Sequence, residues 1–414
     1  MSQQKILLAG CHSCANRGDA AILRGIVDTI SASYPNAHIE TLTRFPSAGR
    51  FNLPEHTFLT DRMFEYYLNP NSKFFARVQH RFLPEILDWV SRFRGRFSFM
   101  LPEAFRLQLN KIVEYDLVVM VGGSYFVDYY GTNNYDIMQL AKAKDVPVIV
   151  LGHSIGPFSI DRFNKITQSI LSRTDAIVLR ESETKKMIEK AGFTNFNLIN
   201  GGDCAWLVEP KRVKLPAHIQ EQLGHNTVAI TARSLAPFDK RLGITQDQFE
   251  QKMANLVNWL NERGHPVIAV NTCTNLDSYH NDDRVVKQCI NKYVRNTEMF
   301  YIIQDELNDL EIGNVLGQCQ LTIGTRLHSA IISMRFGTPA FAIFYEHKSK
   351  GVLEQLNFDD RSIWIRDVDA DDTFKKISYV LDNIESVKEK CAQHVNDEVQ
   401  FTKRVALEVI GKYL

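Results

Sequence analysis

The chain has 414 residues, 44% of them hydrophobic and 23% charged, a composition that suits a globular protein with two cores at roughly 100 to 200 residues per domain. Its formal net charge is zero, which excludes a surface that is basic throughout, so no nucleic-acid partner is expected and any anion-binding patch must be local. The seven cysteines, an odd number spread along the chain, argue against a disulfide framework and suit a reducing cytosol.

The N-terminus lacks a signal-peptide layout: Lys5 is followed by only five apolar or small residues, Ile6 to Gly10. No run of ~18 apolar residues could span a bilayer. A cytoplasmic location is expected. Residues 5–9 predict a parallel-type strand, and 10–18 a loop of small and polar residues. Asp19 then reads as the cap of a helix whose apolar positions Ile22, Ile26, Val27 and Ile30 recur at helical spacing. This strand, loop and helix suit a doubly wound fold, but G-x-G-x-x-G is missing, so a dinucleotide site is not implied. Cys11-His12-Ser13-Cys14 has no second cysteine pair at zinc-site spacing and reads as loop packing. Residues 38–43 predict the second strand.

Residues 44–110 break this rhythm. They hold a helical insertion that is basic and aromatic together, with Phe82, Trp89, Phe93, Arg94, Arg96, Phe97 and Phe99 among its residues. Two readings stay open: aromatics packed on the domain, or an interfacial patch resting on a membrane that carries the substrate.

The βα rhythm resumes with strands predicted at 115–121, 146–151 and 176–179. They end in Gly122-Gly123-Ser124, Gly152-His153-Ser154-Ile155-Gly156-Pro157 and Arg180-Glu181-Ser182. A linker with Pro210 and Pro216 follows. A second series then begins at 227–231, with Arg233 just past its end, and continues at 266–271. A helix is predicted over 308–316, and a buried strand over 321–324 leads into Thr325-Arg326-Leu327-His328-Ser329 and a helix. The next strand, 339–343, ends in Tyr345-Glu346-His347-Lys348. Arg326 and His328 therefore fall in a strand-to-helix turn, where unpaired N–H groups and the helix dipole favour an anion. Read singly, they are equally a surface arginine and a packed helix-start histidine.

The expected architecture is α/β: two Rossmann-like βαβ domains facing across a cleft, glycosyltransferase-B-like. Residues 1–210 form the first domain, 225–370 the second, and 371–414 a helical tail that crosses back to the first. Within it, Asn16-Arg17-Gly18-Asp19, Gly122-Gly123-Ser124, His153 to Pro157, the segment 233–243 and Gly324-Thr325-Arg326-Leu327-His328-Ser329 together resemble the polysaccharide pyruvyl transferase family, in its colanic acid and amylovoran branch. The resemblance implies transfer of a pyruvyl group from phosphoenolpyruvate onto two hydroxyls of one sugar of an exopolysaccharide repeat unit, with release of phosphate. It places the donor at Arg326, His328 and Arg233. Ser329, Asn16, Gly123, Ser124 and Glu346 are further substrate-binding candidates. The implied acceptor is an oligosaccharide, expected to be lipid-linked, with peripheral contact at the cytoplasmic face of the inner membrane.

The residue types suit that chemistry. Planar guanidinium groups grip a carboxylate and a phosphate better than lysines would. The enol methylene must be protonated before an alcohol attacks C2, and imidazole is the natural acid, with His328 the first candidate and His153 the second. Asp19 is a candidate base for the sugar hydroxyl, or a plain helix cap. No cofactor and no metal are expected, since no ligand cluster stands out. Two other readings remain open: a nucleotide-sugar-dependent glycosyltransferase, with Glu346 on a ribose and Arg233 on a diphosphate, and a non-catalytic glycan-binding protein.

Overall fold

The structure is a computed structural model that describes residues 3–68, 74–236, 242–344 and 358–414. The chain divides into two compact units. One comprises Met1–Ser13, Ile22–Leu207 and Phe401–Leu414, and the other Cys14–Ala21 and Val208–Gln400.

The first unit is built on a parallel sheet. Its strands are β1 (Lys5–Ala9), β2 (His38–Thr43), β3 (Thr57–Thr60), β4 (Leu117–Met120), β5 (Gly123–Phe126), β6 (Val148–Ile155), β7 (Ala176–Leu179) and β8 (Leu198–Asn200). The order is β3-β2-β1-β4-β6-β7-β8, with β5 paired to β6. Every residue of β4, β6 and β7 is buried, the pattern of strands covered on both faces. Strand order reverses between β1 and β4, which makes their carboxyl ends the switch point where such sheets hold ligands.

The second unit repeats the plan with β9 (Val228–Thr231), β10 (Val267–Ala269), β11 (Phe300–Ile302), β12 (Leu321–Gly324), β13 (Ala340–Phe344) and β14 (Ser362–Trp364), in the order β11-β10-β9-β12-β13-β14. Its switch point lies between β9 and β12, whose ends are in register at Thr231 and Gly324. The tail is helical, over Asp371–Asp382 and Ile384–Tyr413.

Strands β8, β11 and β14 stand where no strand was predicted, and three further features depart from the sequence reading. Strand β6 runs on through Gly152, His153 and Ser154, because parallel pairing to β5 and β7 continues there. Strand β5 was hidden in the polar-looking Gly123-Ser124-Tyr125-Phe126. Strand β3 lies inside the stretch expected to be helical, which also holds the helix Phe74–Arg92.

His56 generates a pH dependence in the first unit. Its Nε2 lies 2.8 Å from Thr41 Oγ1, and burial pushes its pKa from 6.5 down to about 4. The unfolded chain therefore takes up this proton before the folded chain does. Stability is full above about pH 6.5 and declines as pH falls from there towards 4. His56→Gln keeps a polar side chain but removes the titration, and is expected to flatten this acid slope in urea melts followed between those pH values. An unchanged slope would contradict the assignment.

Candidate functional site

In the second unit the site grows from the ends of β9 and β12. Gly324 is required there by close approach: a Cβ on it would lie 2.2 Å from Ser329 Oγ and 2.4 Å from Thr231 Oγ1. Ser329 is fully buried, and its hydroxyl donates to the Arg326 carbonyl at 2.6 Å and bonds Thr231 Oγ1 at 2.9 Å. This closes the turn and fixes Arg326, an extended residue that precedes the helix Leu327–Arg335.

The Arg326 guanidinium grips Asp283 with two bonds, Nη2 to Oδ1 at 2.8 Å and Nε to Oδ2 at 3.1 Å. The Arg326 side chain is 12% exposed and that of Asp283 only 1%. Asp283 opens the helix Asp283–Asn291, where Asp282 accepts the Arg284 N–H as N-cap. One turn on, the fully buried Lys287 donates Nζ to the Ala232 carbonyl at 3.1 Å. Burial alone would raise the pKa of Asp283, but Arg326, Lys287 and Arg233 together hold it below the ordinary value, so it stays ionised. Burial pushes Lys287 down to about 8 against the pull of Asp283. Arg233 lies two residues past β9, half-buried, with Nε donating to the Ser234 carbonyl at 2.9 Å.

The Asn16-Arg17-Gly18-Asp19 loop belongs to this unit. The Arg17 N–H donates to Thr272 O at 2.8 Å, that of Thr274 to Ala15 O at 3.1 Å, and Asn16 forms a β-bridge with Cys273. The Arg17 side chain is fully buried. Its Nε donates to Leu307 O at 2.6 Å, its Nη1 to Cys14 O and Ala15 O at 2.9 and 2.7 Å, and its Nη2 pairs with Glu306. Arg17 is thus an anchor for the loop.

The helix starts at Arg17, so Asp19 stands inside it and the expected cap is corrected to Asn16. The Asn16 side-chain carbonyl accepts the Gly18 N–H, and its amide donates to Asp19 Oδ2, both at 3.2 Å. A Cβ on Gly18 would lie 2.4 Å from His328 Nδ1, so the imidazole rests directly on that glycine. Cys273 reports the surrounding field: burial pushes its thiol up to about 12, Arg326 opposes this, and Asp283 and Asp19 add to it. Arg326, Arg233, His328, Asn16 and Asp19 are thereby gathered around one switch point.

The other predicted residues are in the first unit or outside the described residues. His153 is buried inside β6, stacked on Phe126 with ring centres 4.1 Å apart, and its Nδ1 lies 2.8 Å from Ser154 O. It is a strand residue enclosed by aromatics, where a loop histidine was expected. Gly123 pairs with it across β5 and β6. Ser124 accepts from Arg180 Nη2 at 2.7 Å, and Arg180 also donates Nε to Ser154 Oγ at 3.0 Å. Glu346 and residues 237–241 lie outside the described residues.

Sequence reasoning passed over Asp283 and Lys287, and named Arg180 only as part of a strand end. The signal for the first two was available: an acidic pair, Asp282-Asp283, opening a helix with a lysine four residues on. It also passed over a first-unit pocket lined by Gly10, His12, Arg44, Asp61, Tyr125 and Asp136. There His12 stacks on Tyr125 with ring centres 5.1 Å apart, Arg44 donates to Asn134 at 3.1 Å, and burial raises both carboxyls. Rings and polar groups so mixed suit a small polar ligand. Among the described residues, no cluster of three or more His, Cys, Asp or Glu side chains is placed to hold a metal ion.

Asp283→Asn would leave two buried cations without their counter-charge and is expected to cost about 3 to 5 kcal/mol. Adding Lys287→Met, which removes one of them, should restore at least about 1 kcal/mol in a double-mutant cycle read by urea unfolding. Strict additivity of the two changes would contradict the coupling.

Comparison with known proteins bears on the family and the fold. Residues 16–347 match the family model described as polysaccharide pyruvyl transferase. The chain is 42% identical over 412 residues to the amylovoran biosynthesis protein AmsJ of Erwinia amylovora, covering 98% of this chain and 99% of that one. Among solved structures, it resembles a glycosyltransferase from Rickettsia africae, at 12% identity and a TM-score of 0.62, covering 100% of this chain and 99% of that one. It also resembles the UDP-GlcNAc 2-epimerase of Neisseria meningitidis, at 9% identity and a TM-score of 0.61, covering 99% and 100%. These two likenesses speak for the fold alone, a glycosyltransferase-B-like pairing of Rossmann-like units. By its family match and its near full-length relative, the chain belongs to the polysaccharide pyruvyl transferase family.

Proposed function

We propose that the protein moves a pyruvyl group from phosphoenolpyruvate to two hydroxyls of one sugar in an exopolysaccharide repeat unit, forming a cyclic ketal and releasing phosphate. One observation carries this reading: Arg326, Arg233 and His328 are collected at the second unit's switch point, against the Asn16-to-Asp19 loop. The family and the amylovoran relative support the reaction class and the exopolysaccharide setting.

In this reading the two guanidinium groups bind the donor's carboxylate and phosphate. Asp283 grips the Nε and Nη2 edge of Arg326 and so sets the plane in which the rest of that group meets an oxyanion. Ser329, whose hydroxyl is committed inside the turn, positions Arg326 and does not touch substrate.

His328 gives a proton to the donor methylene, C3, and C2 becomes electrophilic. A sugar hydroxyl oxygen bonds C2 as Asp19 takes its proton. The C2–O bond to phosphate then breaks with its electron pair leaving on phosphate. The second hydroxyl closes the ring on C2 as its proton passes to the departing phosphate, and the proton held by Asp19 returns to His328 by way of solvent. The scheme uses no metal and no cofactor. Its acceptor is a lipid-linked oligosaccharide, which would bring the protein to the cytoplasmic face of the inner membrane.

Donor choice tests the reading. Phosphoenolpyruvate is expected to raise the melting temperature, and a panel of nucleotide sugars is not; the reverse would assign a glycosyltransferase. Arg326→Lys keeps the charge but loses the planar fork, and should weaken phosphoenolpyruvate binding by about 1 to 3 kcal/mol in calorimetry. His328→Asn should bind the donor and release no phosphate. Near-normal turnover in that variant would remove His328 from the acid role.

A further inference from the structure

We propose that the outer face of the helix Phe74–Arg92, together with the turn that follows it, docks on an anionic lipid bilayer. The helix has two apolar faces. Leu83, Leu87 and Val90 are fully buried and fasten one of them to the core. Val78, Phe82 and Trp89 recur at helical spacing on another side, and Phe93 continues the line; these four are 40%, 48%, 56% and 49% exposed. A helix that needs only one face to hold its place shows a second one to solvent.

The aromatic end of this stripe is organised within itself. Phe93 and Phe97 meet edge to face with ring centres 5.5 Å apart, Trp89 lies 6.2 Å from Phe93, and Phe99, 73% exposed, extends the cluster beyond the helix. No helix among the described residues is long and apolar enough to cross a membrane, so this face would lie on the interface.

Charge selects the occupant. Residues 74–100 carry five arginines against Glu85 and Asp88, an excess of three in a chain whose formal net charge is zero. Both carboxylates face cations already: Glu85 pairs with Arg162 at 2.5 Å, and Asp88 with Arg92 and Arg173 at 2.8 and 3.0 Å. Arg94 pairs with Asp145 across an exposed contact, 76% and 62% open to water, that a phosphate-rich surface would readily displace. Arginines flanking exposed tryptophan and phenylalanine match the headgroup level of an anionic membrane better than a second protein surface, whose core would be poor in charge.

This inference does not depend on the donor chemistry, and its test reads binding and not turnover. The full-length chain is sedimented with vesicles of phosphatidylglycerol and phosphatidylethanolamine, and with vesicles of phosphatidylcholine alone. It is expected to bind the anionic vesicles at least tenfold more tightly, with binding lost at high salt and the tryptophan emission shifted to the blue. Trp89→Ser/Phe93→Ser/Phe99→Ser and Arg81→Gln/Arg94→Gln/Arg96→Gln should each lose at least tenfold while keeping the far-ultraviolet circular dichroism of the parent. Equal vesicle binding by the parent and both variants overturns the proposal. So does a parent that ignores vesicles but forms a dimer that the aromatic variant cannot, because the face then belongs to a second copy.

Discussion

The carboxylate of Asp283, buried between Arg326 and Lys287, is the constraint on which the second unit's site depends. An isolated ion at that depth would be very costly, and three charges are tolerable only because each supports the others. The pair removes most of the rotamer freedom of a long arginine before any ligand arrives. A pre-set guanidinium loses less on binding than a free one, which is how a stable interior can serve affinity. The buried lysine behind it answers the same requirement: it keeps Asp283 charged and is itself pressed towards neutrality, to about 8.

The same economy explains the Asn16-to-Asp19 loop. Arg17 spends its donors on backbone carbonyls and Glu306, so the loop is held by its cation. Gly18 has no side chain because the imidazole of His328 occupies that space. An arginine and a glycine that look like ligand-binding residues in sequence thus place Asn16 and Asp19 beside the histidine. Gly324 works in the same way, admitting the hydroxyls of Ser329 and Thr231 that brace the Arg326 turn.

Much of the fold was legible because fully buried parallel strands are written as short β-branched runs. The short strands β3, β8, β11 and β14 were not foreseen, while residues 5–9, 38–43, 176–179 and 321–324 were found with their boundaries and the other predicted strands within a few residues. Strand β5 was not, since Gly123-Ser124-Tyr125-Phe126 lacks such a run and pairs only because β6 continues beside it. Extension of β6 also moved His153 from a loop into the sheet, where Phe126 covers its ring. At the site, the motif residues were visible as motifs, but their supports were not. Asp283 is 43 residues from Arg326 in sequence and Thr231 is 98 from Ser329, and no local pattern encodes such partners. The capping role went to Asn16 and not Asp19 because the helix starts at Arg17, three residues earlier than a cap at Asp19 would give.

The central claim is that the site protonates an enol and joins sugar oxygens to the carbon so activated. Turnover in heavy water tests it most directly, with the product examined by mass spectrometry and proton NMR. The account predicts one solvent deuterium in the ketal methyl group for each pyruvyl transferred, because the methylene acquires its third hydrogen from solvent by way of the site's acid. A ketal methyl free of deuterium, or a phosphorylated sugar formed by attack at phosphorus, would contradict it.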